Sequence, residues 1–280
     1  MTTAALAHDH IYVYGVARPG PEYALPLPAC EGVVPGRPVE LVPFRRMSAI
    51  VSAFPPEAAA PKPGVNEGEW AQRRAVAHHQ VLSALASRIP LAPSKFGTVL
   101  RSLDSLAAFI ERHEASLEET LDRVSGCREW GLKLWADPAI AREAAASASS
   151  PSLAPIQEEL AQATDGKAFF IRKKLKLAIE AEAQRNLTAR AIEVHQKLDA
   201  LARRSVHIRN YPSLSGAGAK GRVLLLNAAY LVETSGEAAF HGALDAMRRS
   251  FAAAGLSDAL TGPWPSYNFV SLPSGETANV

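Results

Sequence analysis

Cysteine is scarce in this chain, and the two that occur, Cys30 and Cys127, show no Cys-x-x-Cys spacing. The N-terminus also lacks a basic stretch followed by an apolar one, which predicts reduced thiols and no secretion signal. No run approaches roughly 18 consecutive apolar residues, so no membrane-spanning helix is expected. The net charge of +2 is too balanced to indicate nucleic-acid binding by itself. We therefore expect a cytoplasmic globular protein that binds neither membrane nor nucleic acid.

Motifs for reactive chemistry are also missing. There is no Gly-x-Ser-x-Gly elbow and no dinucleotide fingerprint, and the glycine-rich segment 215–221 has no helix after it that could hold phosphate. His78 and His79 are adjacent, so on a helix they point about 100° apart and do not share a metal ion comfortably. We predict no catalytic residue, no cofactor and no metal site. A triad assembled from distant segments stays open, because spacing does not reveal one.

The first part of the chain reads as strand, loop, strand, strand, helix, strand. Residues 18–37 hold five prolines and three glycines and predict a long loop, and Asn66 with Glu69 resembles a helix-capping box. The predicted strands are 11–16, 39–44, 47–54 and 93–100, with helices from Asn66 to about Arg88 and from Ser102 to about Val124. This is the ferredoxin-like order with the first crossover helix replaced by a proline-rich loop.

The second part repeats that order more completely. Asp137-Pro138 is a good helix start, and Thr234 with Glu237 resembles another capping box. The predicted elements are a strand at 127–136, weak helices within 143–163, a helix of 38 residues at 167–204, strands at 206–210 and 222–233, a helix ending before Gly255 and a closing strand at 258–272. We therefore predict an α+β chain with two tandem ferredoxin-like domains, a modified one at 1–125 (core 10–100, then helical segment 102–124) and a second with an enlarged helical insertion at 126–280.

A compact basic run lies early in the predicted long helix. It comprises Arg172, Lys173, Lys174 and Lys176. Lys176 and Glu180 are spaced as a helical ion pair, so one reading is a solvated, partly paired face. The other reading is a contact for the acidic surface of a protein partner.

Four aromatic and glycine motifs follow one another along the chain. The most informative is the close, Gly262-Pro263-Trp264-Pro265-Ser266-Tyr267-Asn268-Phe269. Its prolines predict a kinked or edge strand, with alternation of Tyr267 and Phe269. The other three are the opening strand around Tyr12, Phe96-Gly97 in mid-chain, and the strand that contains Trp130. From residue types alone, these aromatics fill a core.

In order and spacing, these motifs resemble the gas vesicle accessory protein family, types F and L (GvpF/GvpL). The resemblance implies a two-domain α/β assembly protein without enzyme activity. It also implies association with gas vesicles, with the major shell protein and other accessory proteins as partners. A soluble partner could cover the apolar face of a shell subunit before assembly. We hypothesise that sheet edges or apolar patches do so, with the 18–37 loop leaving part of the N-terminal sheet open; a monomer is plausible.

Two alternatives of other classes remain open from the residues. One is a ligand-responsive regulator or enzyme on a ferredoxin-like scaffold. The other is an RNA-binding module, since such sheets often bind RNA through exposed aromatics. The strand Val223–Tyr230 is almost wholly apolar and looks buried on both faces. This argues against a solvent-exposed sheet surface that binds RNA.

Overall fold

The computed structural model describes residue 6 and residues 9–18, 31–86, 88–148, 150–208 and 221–270. Contacts divide the chain into two compact units. Unit 1 is Met1–Glu129 with Pro263–Val280, and unit 2 is Trp130–Gly262. The expected division after residue 125 stays a prediction, and the grouping differs from it at the end of the chain. Cys30 and much of the 18–37 loop lie outside the described residues.

Unit 1 contains an antiparallel sheet and two long helices. In chain order these are β1 His10–Ala17, β2 Glu40–Phe44, β3 Met47–Phe54, α1 Glu67–Ala86, β4 Leu91–Pro93, β5 Val99–Leu100 and α2 Leu103–Val124. The sheet order is β2-β3-β1-β4, and β5 also pairs with β1. The single strand predicted at 93–100 is wrong, because the chain turns at Gly97, which has a φ of 83° that favours glycine.

Both faces of the unit 1 sheet are covered by a helix. On one face of β1, Tyr12 and Tyr14 join the core that contains Leu82 of α1. On the other face, Ile11 and Val13 join the core that contains the buried leucines of α2. Every residue of β3 is buried. Edge strand β2 is only partly buried and much of the 18–37 loop lies outside the described residues, so the hypothesis that part of this sheet stays open stays a prediction.

Unit 2 has a second sheet and the longest helix. Its elements are β6 Cys127–Ala136, α3 Pro138–Ser147, α4 Ala154–Ala161, α5 Asp165–Asp199, β7 Arg204–His207, β8 Val223–Glu233, α6 Glu237–Arg248 and β9 Leu256–Trp264. The sheet order is β7-β8-β6-β9. One core joins alternate residues of β6 and β8 to residues of α3, α5 and α6. As predicted, Leu132, Leu134 and Ala136 share a face, and Trp130 packs against the same core.

The helix starts follow side-chain capping at three of the four predicted places. Oxygens of Asn66, Ser102 and Asp137 each accept backbone N–H groups of the first turn. At the fourth place a short 3₁₀ turn occupies 234–236 and α6 begins at Glu237, so the capping box at Thr234 stays a prediction. The long helix also ends earlier than predicted. Arg204–His207 leave it to pair with β8 as strand β7.

Gly15 offers a direct test of the packing of β1. A Cβ there would lie 2.5 Å from the carbonyl oxygen of Ala92. Gly15→Ala should lower the free energy of unfolding by about 2 kcal/mol, because neither strand can yield without losing its pairing. Chemical denaturation measures this. Gly242 of α6 has open space around its Cα, so Gly242→Ala should raise stability by about 0.5–1 kcal/mol. Equal effects of the two substitutions would contradict the proposed packing.

Candidate functional site

The closing motif packs on α1 of unit 1. The ring centroid of Trp264 lies 5.2 Å from that of His79. The hydroxyl of Tyr267 lies 3.3 Å from His79 Nδ1. Residues 266–269 form a turn, in which the N–H of Phe269 donates to the carbonyl of Ser266. The strand predicted through Tyr267 and Phe269 is therefore wrong, although Phe269 is buried as expected.

The buried carboxylate of Glu129 holds this turn in place through hydrogen bonds. Glu129 accepts the backbone N–H of Asn268 at 2.9 Å and its side-chain Nδ2–H at 2.7 Å. Arg123 of α2 adds a hydrogen bond at 3.3 Å to the carbonyl oxygen of Phe269. Gly262, just before the turn, has a φ of 129°, which a glycine adopts readily. The motif is thus held to unit 1 by hydrogen bonds as well as by aromatic contact.

The opening and mid-chain motifs meet at the neighbouring histidine. The hydroxyl of Tyr12 lies 2.9 Å from His78 Nδ1, and the N–H of Gly97 donates to that hydroxyl at 3.2 Å. The ring of Phe96 meets the His78 ring edge-on, with centroids 5.9 Å apart. His78 therefore contacts the opening and mid-chain motifs, and His79 contacts the closing motif. Their divergence agrees with the prediction that they do not face one ion.

Burial controls the ionisation of this cluster. It lowers the pKa of His78 to about 4, and it also lowers the pKa of His79. The pKa of Tyr267 is raised to about 12 by burial and by the nearby Glu129 charge. The side chains of His78, His79 and Tyr267 are therefore neutral near pH 7, and they contribute hydrogen bonds rather than charge. Burial also raises the pKa of Glu129 to about 7, although its hydrogen bonds from Asn268 oppose this.

One contact in the cluster resembles part of a catalytic arrangement. Ser83 Oγ lies 3.1 Å from His79 Nε2, while Tyr267 occupies the other ring nitrogen. The group at His79 Nδ1 is the hydroxyl of Tyr267, whereas a triad places a carboxylate there to polarise the ring. Serine four residues after histidine is also an ordinary neighbour on a helix. The arrangement is better explained as support for the closing turn.

The fourth motif lies elsewhere, in unit 2. Trp130 Nε1 donates to Glu237 at 2.9 Å, and its ring meets the His241 ring edge-on at 4.4 Å. Trp130 therefore packs against the core of unit 2 and contacts the first turns of α6. Among the other aromatics of the motifs, Tyr12 and Phe269 are buried, whereas Phe96, Trp264 and Tyr267 contact the histidine pair and stay partly exposed. We call these three side chains the motif aromatics.

The basic run lies on the first half of α5. Lys174 pairs with Glu159 of α4 at 3.0 Å. Arg172, Lys173 and Lys176 form no ion pair within the described residues. The expected pair of Lys176 with Glu180 is wrong. Three of the four basic side chains are thus unpaired, which makes the run more available to a partner than the spacing suggested.

Sequence reasoning missed two features. The first is the pair of hydrogen bonds between Glu129 and Asn268, here called the Glu129 clasp, which joins residues 139 positions apart. No local sequence pattern marks such a pair. The second feature is a group of exposed apolar side chains beside the basic run, Phe169, Phe170 and Leu177. Here a signal existed, since two adjacent phenylalanines on a helix cannot both face one narrow core stripe.

Other kinds of site find no support among the residues that the structure describes. No three histidine, cysteine, aspartate or glutamate side chains are grouped so that they could hold a metal ion. No helix there has the length and apolar character needed to cross a bilayer.

Similarity to known proteins was found over most of the chain. The family described as "Gas vesicle synthesis protein GvpL/GvpF" matches residues 10–271. Gas vesicle protein L of a Streptomyces species is 27% identical over 276 residues, covering 93% of this chain and 92% of that protein. Gas vesicle protein F2 of Halobacterium salinarum is 24% identical over 274 residues, covering 96% of each. The resemblance inferred from the four motifs is confirmed.

Two solved structures share the fold. The crystal structure of GvpF from Anabaena aligns with a TM-score of 0.67 at 17% identity, over 95% of this chain and 99% of that one. GvpF from Microcystis aeruginosa gives 0.61 at 21% identity, over 94% and 99%. The predicted α+β class, with two sheets and their helices, is thereby confirmed.

The Glu129 clasp should make stability depend on pH in a defined direction. The folded-state pKa of Glu129, about 7, exceeds its ordinary 4.5, so its contribution is full below pH 4.5 and is lost as pH rises through 7. His78 acts oppositely, since its lowered pKa costs stability as pH falls below 6.5. Comparing Glu129→Gln with wild type cancels the histidine contribution.

Relative to wild type, Glu129→Gln should gain up to about 3 kcal/mol between pH 5 and 8. Urea denaturation at each pH measures this difference. A lost hydrogen bond to Asn268 would shift the whole curve without changing its slope. Parallel curves for the two proteins, or a carboxyl titration of Glu129 near 4.5 by ¹³C NMR, would contradict the assignment.

Proposed function

Since this chain belongs to the GvpL/GvpF family of gas vesicle synthesis proteins, we propose that it binds the apolar major shell protein and helps to start or chaperone shell assembly. A role in gas vesicle formation follows from the family itself. That family is an assembly family rather than a known enzyme family. We place the protein in the cytoplasm, associated with the vesicle, and propose that other gas vesicle proteins also bind it.

The physical need is clear from the nature of a gas-filled shell. Its subunits present an apolar face to gas, and before assembly that face aggregates in water. A partner that covers the face keeps the subunits competent to assemble. An assembly protein therefore needs apolar groups that are exposed, held in place and prevented from sticking to each other.

The observation that supports this proposal is the partial exposure of the motif aromatics. Phe96 keeps 46% of its surface exposed, whereas a purely structural aromatic would be buried. Its backbone neighbour Gly97 is fixed by Tyr12, and the closing turn is fixed by Glu129. Rings held on a rigid support lose little conformational freedom on binding, which favours affinity.

The finer fold description also belongs to this proposal. Counted within each unit, both sheets place their strands in the order second, third, first, fourth. We interpret unit 2 as a ferredoxin-like domain in which α3, α4 and α5 form an enlarged first crossover. Unit 1 is interpreted as the same strand order without a described first crossover helix and with α2 added on the second face. The units are proposed to correspond to two domains.

The basic run is proposed as a second contact, for acidic groups on a partner. Arg172, Lys173 and Lys176 are unpaired, and Lys174 is partly engaged by Glu159. Neither alternative class gains support from a specific contact. In β8 the residues from Ala228 to Val232 are fully buried, so this strand offers no aromatic platform for RNA.

A two-level experiment tests the proposal. Cells that carry a gas vesicle gene set should lose pressure-sensitive turbidity when this gene is deleted and regain it on complementation. The tagged full chain, co-expressed with shell protein, should also retain it on a column. Normal vesicles without the gene would refute the assembly role. Vesicle loss without any retention of shell protein would refute shell binding alone.

Phe96→Ala should weaken retention of shell protein about tenfold, because an exposed aromatic anchor at an interface is worth roughly 1.4 kcal/mol or more. Titration of co-purified complexes gives the change. Val76→Ala in α1 is the matched control, since Val76 is similarly exposed at 48% and is not a motif residue. Equal affinities for the two variants would remove the motif aromatics from the interface.

A further inference from the structure

The first half of α5 exposes apolar side chains that its own fold does not need. Phe170 and Phe169 are 71% and 67% exposed, the highest values among the large apolar residues described, and Leu177 is 58% exposed. The two phenyl rings meet edge-on with centroids 5.6 Å apart. Exposure of single apolar residues is ordinary, but three together on one helix mark an interaction surface.

Helix geometry places these residues on one face. At about 100° per residue, Phe169, Phe170 and Leu177 fall within an arc of roughly 100°, and they span about 12 Å along the axis. The opposite face carries Ala168 and Ile171, which are buried. The helix is therefore anchored on its inner side, and the outer side chains are directed outward by the helical register. We call Phe169, Phe170 and Leu177 the outer ridge.

Positive charge borders and interrupts the outer ridge. Residues 165–177 contain five basic residues and one acidic residue, which gives a net charge of +4. Lys173 lies within the arc of the ridge, and Lys176 and Arg172 follow on one side. None of these three is neutralised by an ion pair in the described part of the chain. A surface of this kind is complementary to apolar residues bordered by carboxylates.

We propose that the outer ridge docks an amphipathic helical segment of a partner protein whose apolar face is bordered by aspartate or glutamate. The ridge has the length of about two helical turns, which suits helix-to-helix packing. Apolar contact supplies affinity, and Arg172, Lys173 and Lys176 select an acidic partner. This proposal rests on the assembly function proposed above, because that function is the reason to look for the partner among gas vesicle proteins.

Two other occupants fit the observations less well. A second copy of this chain, joined ridge to ridge, would bring Lys173 and its basic neighbours against their own kind. The other occupant is an anionic membrane, which requires a continuous apolar face. Helices that lie in a membrane surface also keep their basic residues off the apolar face, whereas Lys173 lies within it.

The test uses the full chain and two synthetic probes. One probe is an amphipathic leucine-striped helix bordered by glutamates, and the other has lysines in their place. Fluorescence anisotropy should show binding of the acidic probe only. Phe169→Ala with Phe170→Ala should weaken that binding at least tenfold, and Lys173→Glu with Lys176→Glu should weaken it similarly. Ile192→Ala should leave it unchanged, because Ile192 is 51% exposed on the same helix but outside the ridge.

Several outcomes would overturn the proposal. These are equal binding of the two probes, loss in the Ile192 control as large as in the double alanine variant, ridge-dependent binding to phosphatidylserine vesicles, or ridge-dependent dimers by light scattering. Alanine preserves helix propensity, and thermal melts would verify that each variant folds.

The double alanine variant also separates this proposal from the assembly function. In cells that need this gene for vesicles, normal vesicle yield with the variant would refute the outer ridge alone. Vesicles that form without the gene would refute the assembly function, while selective probe binding would still support the ridge. A photo-crosslinking residue at position 169 should join the chain to another gas vesicle protein, and crosslinks only to its own copies would count against the ridge.

Discussion

The central strand of unit 1 is the constraint on which the rest of that unit depends. β1 pairs with β3, β4 and β5, and it is buried on both faces. Two tyrosines within it therefore need internal partners for their hydroxyls. Tyr14 finds them in the backbone N–H of Val33 at 2.7 Å and in Ser52, and Tyr12 in His78 and Gly97. Buried hydrogen bonds from these two hydroxyls thus connect β1 to β3, to α1 and to the loops that contain Val33 and Gly97.

Burial of the central strands β1 and β3 has a consequence for binding. These strands offer a partner no open face, so contacts are expected from the partly buried edge strand β2, loops, helices and the closing turn. The motif aromatics satisfy this requirement because each contacts the histidine pair on α1 and keeps part of its ring exposed. In unit 2 the outer ridge is equally separate from buried structure, since Ala168 and Ile171 on the opposite side of this part of α5 are buried. Both candidate surfaces are therefore additions to complete cores.

Local sequence patterns predicted what depends on neighbours along the chain. Alternation in β6 and the caps at Ser102 and Asp137 were predictable, because their partners lie within a few residues. The closing turn was not, since its geometry depends on Glu129, far away in sequence. Likewise, no local pattern places the buried leucines of α2 against Ile11 and Val13 of β1, because only the fold brings those residues together. Spacing also overestimated pairing of Lys176 with Glu180, because an exposed pair gains little and either side chain can stay in water.

Exposed apolar groups are a hazard that an assembly protein must control. On α5 the control is electrostatic: the charges that border Phe169 and Phe170 repel a second ridge and attract a partner of opposite sign. Around α1 the control is geometric. The rings of the motif aromatics are held against His78 and His79, so each exposes only part of its surface. The two arrangements suit different partners, an acid-bordered helix for the first and a flatter apolar face for the second. Under the proposed function, the chain holds apolar shell subunits without joining its own copies, and it gains from having both surfaces, since neither is complementary to itself or to the other.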